Sequence, residues 1–149
     1  MSQLSFFTSA GGAATANIDG GSRGNPGPAG YGVRIETDDG SVVELKGSIR
    51  QATNNVAEYT GLLAALEWAI ENGVKTLHIR SDSELLVKQM KGEYRVKNPG
   101  LQPLFEEARA RVGRIGRVKF EHVRREYNKD ADRLANEAMD AAAQQQGKC

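Results

Sequence analysis

The fold of this chain is organised around the stretch Ile18-Asp19-Gly20-Gly21-Ser22-Arg23-Gly24-Asn25-Pro26-Gly27-Pro28-Ala29-Gly30-Tyr31-Gly32. An apolar run leads into it and an alternating run leaves it, which predicts a strand, a turn and a second strand. The carboxylate of Asp19 then lies at the exit of the first strand. Pro26 and Pro28 prevent a helix from following the loop directly, so the loop is not typical of a dinucleotide site.

The chain has 149 residues, of which 39% are hydrophobic and 26% charged, which suits the core of a single globular domain. No apolar run approaches the roughly 20 residues that cross a bilayer, so no membrane partner is expected. Cys149 is the only cysteine, so no internal disulfide can form and a reducing, cytoplasmic setting is expected. We expect a loose leader over residues 1–12, one domain over residues 13–143, a frayed tail over residues 144–149, and a monomer.

Positive charge is concentrated in the second half of the chain. Residues 1–72 hold four basic and eight acidic residues, whereas residues 73–149 hold sixteen basic and eleven acidic ones. The densest basic segment combines one acid, Glu121, with Arg109, Arg111, Arg114, Arg117, Lys119, Arg124 and Arg125. Such a patch could contact nucleic-acid phosphates, but by itself the pattern favours a solvated, ion-paired face.

Alternating apolar residues predict three antiparallel strands over residues 13–18, 31–35 and 42–45. A helix follows, in which Asn55 caps the first turn and Glu58, three residues on, completes a capping box.

Five further elements complete the expected topology. They are a strand over residues 74–80, a short helix over residues 85–90, a helix opened by Pro99 and Pro103, a strand over residues 118–123, and a last helix from Asp130 to about Ala143 that Asn128 caps. The strand at residues 74–80 follows a crossover helix, so it lies parallel to the first strand. The expected fold is α/β, with a five-stranded mixed sheet (three antiparallel strands, then two parallel ones) and helices on both faces.

Four acids occupy special places in this topology. Asp19 and Asp82 end strands, and Glu58 and Asp132 lie in the first turns of helices. Each acid alone could simply stabilise its helix or strand end. Together they meet at one rim of the sheet, where ligands bind in such folds and where four carboxylates repel one another unless cations share them. A cluster of oxygen ligands favours Mg²⁺ or Mn²⁺, and two such ions about 4 Å apart support phosphodiester hydrolysis.

The same residues resemble the ribonuclease H type 1 family. The resemblance rests on the motifs at residues 18–28, Thr53-Asn54-Asn55-Val56-Ala57-Glu58, Ser81-Asp82-Ser83-Glu84 and Asp130-Ala131-Asp132-Arg133-Leu134-Ala135, in the family's order. It implies an endonuclease that cuts the RNA strand of an RNA–DNA hybrid with two metal ions and leaves 5′-phosphate and 3′-hydroxyl ends. The resemblance also makes Asp19, Glu58, Asp82 and Asp132 the catalytic metal ligands.

The resemblance implies substrate contacts as well. The backbone of Gly20, Gly21 and Arg23 and the side chains of Asn25, Asn54 and Glu84 are similar to the family's set that reads the minor groove, where the 2′-hydroxyls of RNA are displayed. Thr53 and Asn55 are similar to the contacts with the DNA strand. Turn and helix-capping chemistry could also account for Thr53 and Asn55.

The chain departs from the family pattern in two places. The loop Arg124-Arg125-Glu126-Tyr127-Asn128-Lys129 is short and has no His, and Arg125 is the catalytic stand-in that the shorter-loop branch of the family suggests. His122 is expected to pack within the sheet. Many members also carry a basic segment, the basic handle, between their third and fourth helices. This segment is missing here, and only four cations lie in the corresponding region: Lys88, Lys91, Arg95 and Lys97. We therefore expect weaker, more salt-sensitive hybrid binding.

Three alternatives stay open at this point. A nuclease or strand-transfer enzyme of the same fold could act on another substrate, although the Asn25 and Thr53-Asn54-Asn55 motifs argue against it. A non-catalytic nucleic-acid binding module should have lost at least one of the four acids, and none is lost. A small-molecule enzyme with a doubly wound sheet is disfavoured because no phosphate-binding loop is present.

Overall fold

A computed structural model describes residues 12–146, and the rest of the predicted leader and of the predicted tail lies outside the described residues. The elements are β1 (Ala13–Ser22), β2 (Gly27–Thr37), β3 (Val42–Ala52), α1 (Asn54–Glu71), β4 (Thr76–Ser81), α2 (Glu84–Met90), α3 (Gln102–Ile115), β5 (Arg117–His122), a 3-10 turn (Arg125–Tyr127) and α4 (Lys129–Gln146). The strands form one sheet in the order β3-β2-β1-β4-β5. The predicted fold class is confirmed.

The register of the sheet brings the ends of β4 and β5 to one rim, beside the point where β1 stops pairing with β4. β1 pairs antiparallel with β2, and Asp19 lies opposite Gly32. β1 and β4 are parallel, with Ile18 beside Ser81, and β4 and β5 are parallel, with Ser81 beside His122. Asp19 and Asp82 are the residues that follow this last β1–β4 pair, so the two acids lie side by side. The prediction that Asp19 ends the first strand is wrong, because β1 continues to Ser22, paired with β2.

One face of β1 is apolar and lies under α1. Ala14, Ala16 and Ile18 are at most 6% exposed and belong to the main core. α1 approaches this face so closely that a Cβ atom on Gly20 would lie 2.5 Å from the backbone carbonyl carbon of Ala57. Glycine is required there, because any larger residue would push the helix that carries Glu58 away from the strand.

The other face of β1 is polar and faces α4. α4 packs across β1, β2 and β3, and a Cβ atom on Gly32 would lie 2.4 Å from the carbonyl oxygen of Ala131. Because Asp19 lies opposite Gly32 on the same face, its side chain points toward the helix that begins just before Asp132. Helices therefore cover both faces, as predicted, and each brings one acid to the rim.

Two predicted helix caps are wrong. Thr53, not Asn55, caps α1, because its hydroxyl oxygen accepts the Val56 N–H at 3.2 Å. The first turn of α1 consequently contains no acid, and Glu58 lies in the turn after it. The side chain of Asn128 does not cap α4 either: it is buried and bonds to β1, while its backbone oxygen accepts the Asp132 N–H.

Several element ends also differ from the predictions. β4 begins at Thr76 rather than residue 74, because the Val74 N–H bonds back to the carbonyl of Ala69. α3 begins at Gln102, with Pro103 in its first turn. α4 continues to Gln146, so the first residues of the predicted tail are helical. Within residues 12–146, no helix combines the length and the apolar composition needed to cross a membrane.

Candidate active site

A cleft of about 630 Å³ opens at the rim where β1 and β4 end. The four predicted acids and Arg125 all line it, as do four of the predicted substrate contacts, Gly20, Gly21, Arg23 and Asn54. The other lining residues are Ser22, His122, Val123, Arg124, Asn136 and Met139. The structure therefore brings together the residues that the sequence places on five separate elements. We call this site the acidic cleft.

Asp19 lies at the centre of the acidic cleft. The pKa of its carboxyl is raised to about 8, mainly by burial and further by the charge of Asp82 and a hydrogen bond with Asp132. The Gly20 N–H donates to its Oδ1 at 2.9 Å, which favours the ionised form but does not offset the burial. In the absence of a cation, Asp19 therefore keeps a proton at neutral pH.

Glu58 reaches the acidic cleft from α1. Its pKa is raised to about 7: burial is the main cause, a hydrogen bond from the Ser83 hydroxyl partly opposes it, and the charge of Asp82 adds to the rise. Ser83 also caps α2, since its Oγ accepts the Leu86 N–H at 3.2 Å. The sequence analysis did not assign Ser83 to the site, although a Ser between a strand end and a helix is a recognisable cap signal.

Asp82 faces the positive side of the acidic cleft. Burial raises the pKa of its carboxyl, and Asp132 adds to the rise, while the charges of Arg125 and His122 oppose it. The prediction that His122 packs within the sheet is wrong. His122 is the last residue of β5, is exposed and lines the cleft, because the sheet ends there and leaves its side chain uncovered.

Asp132 is held at the start of α4. Its backbone N–H donates to the carbonyl of Asn128 at 3.0 Å, and its own carbonyl accepts the Asn136 amide at 2.8 Å. Asn136 lies one helical turn further on and also lines the cleft. The sequence analysis missed Asn136, because an Asn in the middle of a helix gives no signal of its own.

The glycine-rich loop after β1 is locked to the start of α1. The side-chain oxygen of Asn54 accepts the Ser22 N–H at 2.9 Å, and that of Asn25 accepts the Asn54 N–H at 3.0 Å. The side-chain oxygens of Asn25 and Asn54 therefore hold the loop, and their amide NH₂ groups remain as donors for a substrate.

Arg23 is held on the rim from outside. Its guanidinium lies 2.7 Å from the carboxylate of Asp140 on α4, and its backbone N–H donates to the Pro28 carbonyl at 2.7 Å.

Four predicted substrate contacts lie outside the residues that line the acidic cleft: Asn25, Thr53, Asn55 and Glu84. The carboxylate of Glu84 forms an ion pair at 3.3 Å with Lys88, whose ammonium also lies 5.0 Å from the centre of the Tyr94 ring. Lys88, one of the four cations in the place of the basic handle, therefore already has partners within the protein.

The donor set of the acidic cleft suits a hard divalent cation. It offers carboxylate oxygens without Cys, and the raised pKa values of Asp19, Glu58 and Asp82 mean that added positive charge would favour their ionised forms. Within residues 12–146, no group of three or more His, Cys, Asp or Glu side chains is placed so that it could hold a metal ion as it stands.

Comparison with known proteins identifies the family. A family model described as "Reverse transcriptase-like" matches residues 17–138. Ribonuclease HI of Halobacterium salinarum is 44% identical over 133 residues, which are 89% of this chain and 67% of that protein. The chain belongs to the ribonuclease H type 1 family. Within this family, it represents the shorter-loop form without a basic handle, as its sequence indicates.

Other ribonuclease H relatives support the assignment. The bifunctional protein Rv2228c of Mycobacterium tuberculosis is 52% identical over 128 residues, and the solved structure of its N-terminal ribonuclease H domain has a TM-score of 0.86 at 49% identity, covering 90% of this chain and 98% of that one. The match spans only 35% of the full length of Rv2228c. LC11-RNase H1, solved in complex with an RNA/DNA hybrid, has a TM-score of 0.82 at 42% identity over 87% of this chain and 99% of that one.

Proposed function

We propose that this chain is an endonuclease that hydrolyses the RNA strand of RNA–DNA hybrids with two divalent metal ions, Mg²⁺ or Mn²⁺, and leaves 5′-phosphate and 3′-hydroxyl ends. The observation that carries the proposal is the convergence of Asp19, Glu58, Asp82 and Asp132 on one cleft. LC11-RNase H1, a relative solved with a hybrid, supports the choice of substrate. The single cysteine supports a reducing, cytoplasmic setting, and we propose a monomer.

The four carboxylates would hold the metal ions. When bound, such ions lower the pKa of water for attack on a phosphorus and stabilise the leaving oxygen. The chain itself supplies an arrangement of acids that is incompletely ionised without them, because burial and mutual repulsion hold protons on Asp19 and Glu58. Metal binding should therefore release protons.

Recognition of the hybrid is assigned to the glycine-rich loop and the start of α1. The wide minor groove of a hybrid displays 2′-hydroxyls, and reading them requires donors that approach without bulk. Gly20 and Gly21 bring bare backbone to the cleft, and the amide groups of Asn25 and Asn54 offer donors beside it. Thr53 and Asn55 lie at the same helix start and are proposed to contact the DNA strand.

Arg125 supplies the positive side of the cleft. Its charge opposes the rise in the pKa of Asp82, so the two side chains are close enough to interact strongly. A guanidinium at this position can bind a phosphate oxygen but cannot exchange a proton near neutral pH. We propose that Arg125 binds the scissile or product phosphate.

Cleavage of one labelled sequence prepared as hybrid, RNA duplex and DNA duplex tests the proposal. We expect cleavage of the RNA strand of the hybrid with Mg²⁺ and none in EDTA. Asp132→Asn should abolish it, whereas Asp130→Asn, an exposed acid in the same helical turn, should cleave like wild type. Binding of the hybrid without cleavage at any metal concentration would instead favour the non-catalytic binding module.

A further inference from the structure

The side chain of Asn128 forms a buried clamp between β1 and the start of α4. Asn128 is 1% exposed, and among the residues described only Ser81 and Gln89 are other polar side chains buried to a similar degree. Its Nδ2 donates to the backbone carbonyl of Ile18 at 2.8 Å, and its Oδ1 accepts from Nδ2 of Asn17 at 2.9 Å. The nitrogen and the oxygen of the Asn128 side-chain amide therefore each form a hydrogen bond with β1, on the adjacent residues Ile18 and Asn17.

The backbone of Asn128 completes the clamp on the other side. Its carbonyl accepts the Asp132 N–H at 3.0 Å, and its N–H donates to the Arg125 carbonyl at 2.9 Å. Asn17 adds a longer contact of 3.3 Å from its Nδ2 to the Tyr127 carbonyl. One residue thus connects the position just before Asp19 with the turn that carries Arg125 and with the first turn that carries Asp132.

This arrangement has a specific geometric consequence. Asp19 and Asp132 lie on different elements, 113 positions apart in the chain, and no covalent path sets the distance between their carboxylates. A buried amide with both donor and acceptor engaged has one favourable orientation, and its loss would leave the Ile18 carbonyl without that partner in a dry site. A helix cap, the role that the sequence suggests for Asn128, would not require any contact with β1.

We infer that Asn128 is a positioning residue for the acidic cleft: together with Asn17 it holds Asp132 and Arg125 at the distance from Asp19 at which the carboxylates share divalent cations. This inference rests on the proposed function, since it assigns the cleft to metal binding. Asn128 is buried and is not among the residues that line the acidic cleft. It acts through the backbone of Ile18 and of Asp132.

Binding of Mg²⁺ to the substrate-free protein is the first test, followed through the backbone amide signals of Gly20 and Asp132 in a nuclear magnetic resonance titration. We expect Asn128→Ala to weaken Mg²⁺ binding roughly tenfold, in the range seen when outer contacts of metal ligands are removed. Amide hydrogen exchange at Asp132 should accelerate, because its acceptor is no longer held. In hybrid cleavage, kcat should fall about tenfold while KM for the hybrid stays unchanged.

Leu101→Ala is the matched control, because Leu101 is 3% exposed and begins α3, away from the acidic cleft. It should destabilise the fold and leave Mg²⁺ affinity unchanged. If Asn128→Ala does not fold, Asn17→Ala decides, because it removes the donor to Asn128 and keeps the Asn128–Ile18 bond; a smaller loss in the same direction is expected.

Wild-type Mg²⁺ affinity and wild-type exchange at Asp132 in the variant that folds would overturn the inference. The same holds if Leu101→Ala loses as much Mg²⁺ affinity as Asn128→Ala. Failure of the proposed function would look different: the wild-type protein would not cut the hybrid, while Asn128→Ala would still weaken Mg²⁺ binding.

Discussion

The two faces of β1 serve different purposes, although their residues alternate along one strand. Under α1, Ala14, Ala16 and Ile18 are buried and apolar, and they join the main core. On the side of α4, Asn17 and Asp19 are polar, only partly buried, and bonded or coupled to other polar groups. The first face stabilises the fold through removal of apolar surface from water, whereas the second keeps carboxylates in a protonated state that metal ions would relieve.

Residues that stabilise the fold and residues that form the candidate active site are therefore direct neighbours along β1. Successive side chains of a strand point to opposite faces of the sheet, so two adjacent residues have side chains in different surroundings. A substitution on one face should therefore change the free energy of unfolding without changing the chemistry, and a substitution on the other should do the reverse.

The largest expected contrast is between Asp19→Asn and Ile35→Ala. Asp19→Asn should reduce hybrid cleavage by about 100-fold or more, since the residue proposed as a metal ligand loses its charge. Its metal-free stability should be unchanged or increased, because a buried amide stays neutral at every pH and never has to be desolvated as a charge beside Asp82. Ile35, fully buried on the α1 face of β2, should lose about 2–5 kcal/mol on conversion to Ala and keep its turnover per folded molecule.

Denaturant unfolding in EDTA, combined with cleavage rates corrected for the folded fraction, measures both quantities. Wild-type turnover with Mg²⁺ in Asp19→Asn would remove Asp19 from the metal site. A loss of turnover in Ile35→Ala that exceeds its unfolded fraction would show that the two faces are coupled.

Arg125→Ala should give the next largest effect. Loss of the guanidinium should slow turnover roughly tenfold, more than it weakens hybrid binding, and should raise the pKa of Asp82 further. Arg114→Ala is the control, since Arg114 is exposed in the last turn of α3 and is not among the residues that line the acidic cleft. Single-turnover rates and hybrid affinity separate the two effects, and an unchanged rate in Arg125→Ala would exclude a catalytic role.

The smallest expected effect is the dependence of metal-free stability on pH. The folded state holds protons on Asp19 up to about pH 8 and on Glu58 up to about pH 7, whereas the unfolded chain releases them near pH 4. Their stabilisation is fully present below about pH 4 and is lost as pH rises through these folded pKa values.

Urea unfolding in EDTA between pH 5 and pH 8.5 checks this dependence. The wild-type free energy of unfolding should fall relative to that of Asp19→Asn over this range, and saturating Mg²⁺ should restore it. Parallel profiles for the two proteins would contradict the raised pKa of Asp19.

Much of the site could be predicted from sequence, because its motifs combine a residue type with a local structural signal. Asp19 and Asp82 end apolar runs, and Asp132 follows a polar loop, so their places depend only on where strands and helices stop. Glu58 was placed in the right helix but one turn too early, because Thr53 and Asn55 are both good caps and only the packing of the loop on Asn54 selects Thr53.

The residues that the sequence analysis missed lack such a local signal. His122 looks like the end of a buried strand, and it lines the cleft only because no neighbouring element covers the end of β5 there. Asn128 looks like a helix cap, and its contact with Ile18 joins positions 110 residues apart.

The sequence by itself determined the order of the elements, the mixed sheet, the family and the four acids, because each follows from short-range periodicity and motifs. Only the tertiary structure decided how those acids interact. The raised pKa values of Asp19, Glu58 and Asp82, the hydrogen bond of the Ser83 hydroxyl to Glu58 and the Asn128 clamp all depend on burial and on distances across the fold. Electrostatic coupling depends on the distance between charges in space and on the exclusion of water, and neither can be derived from the spacing of residues along a chain.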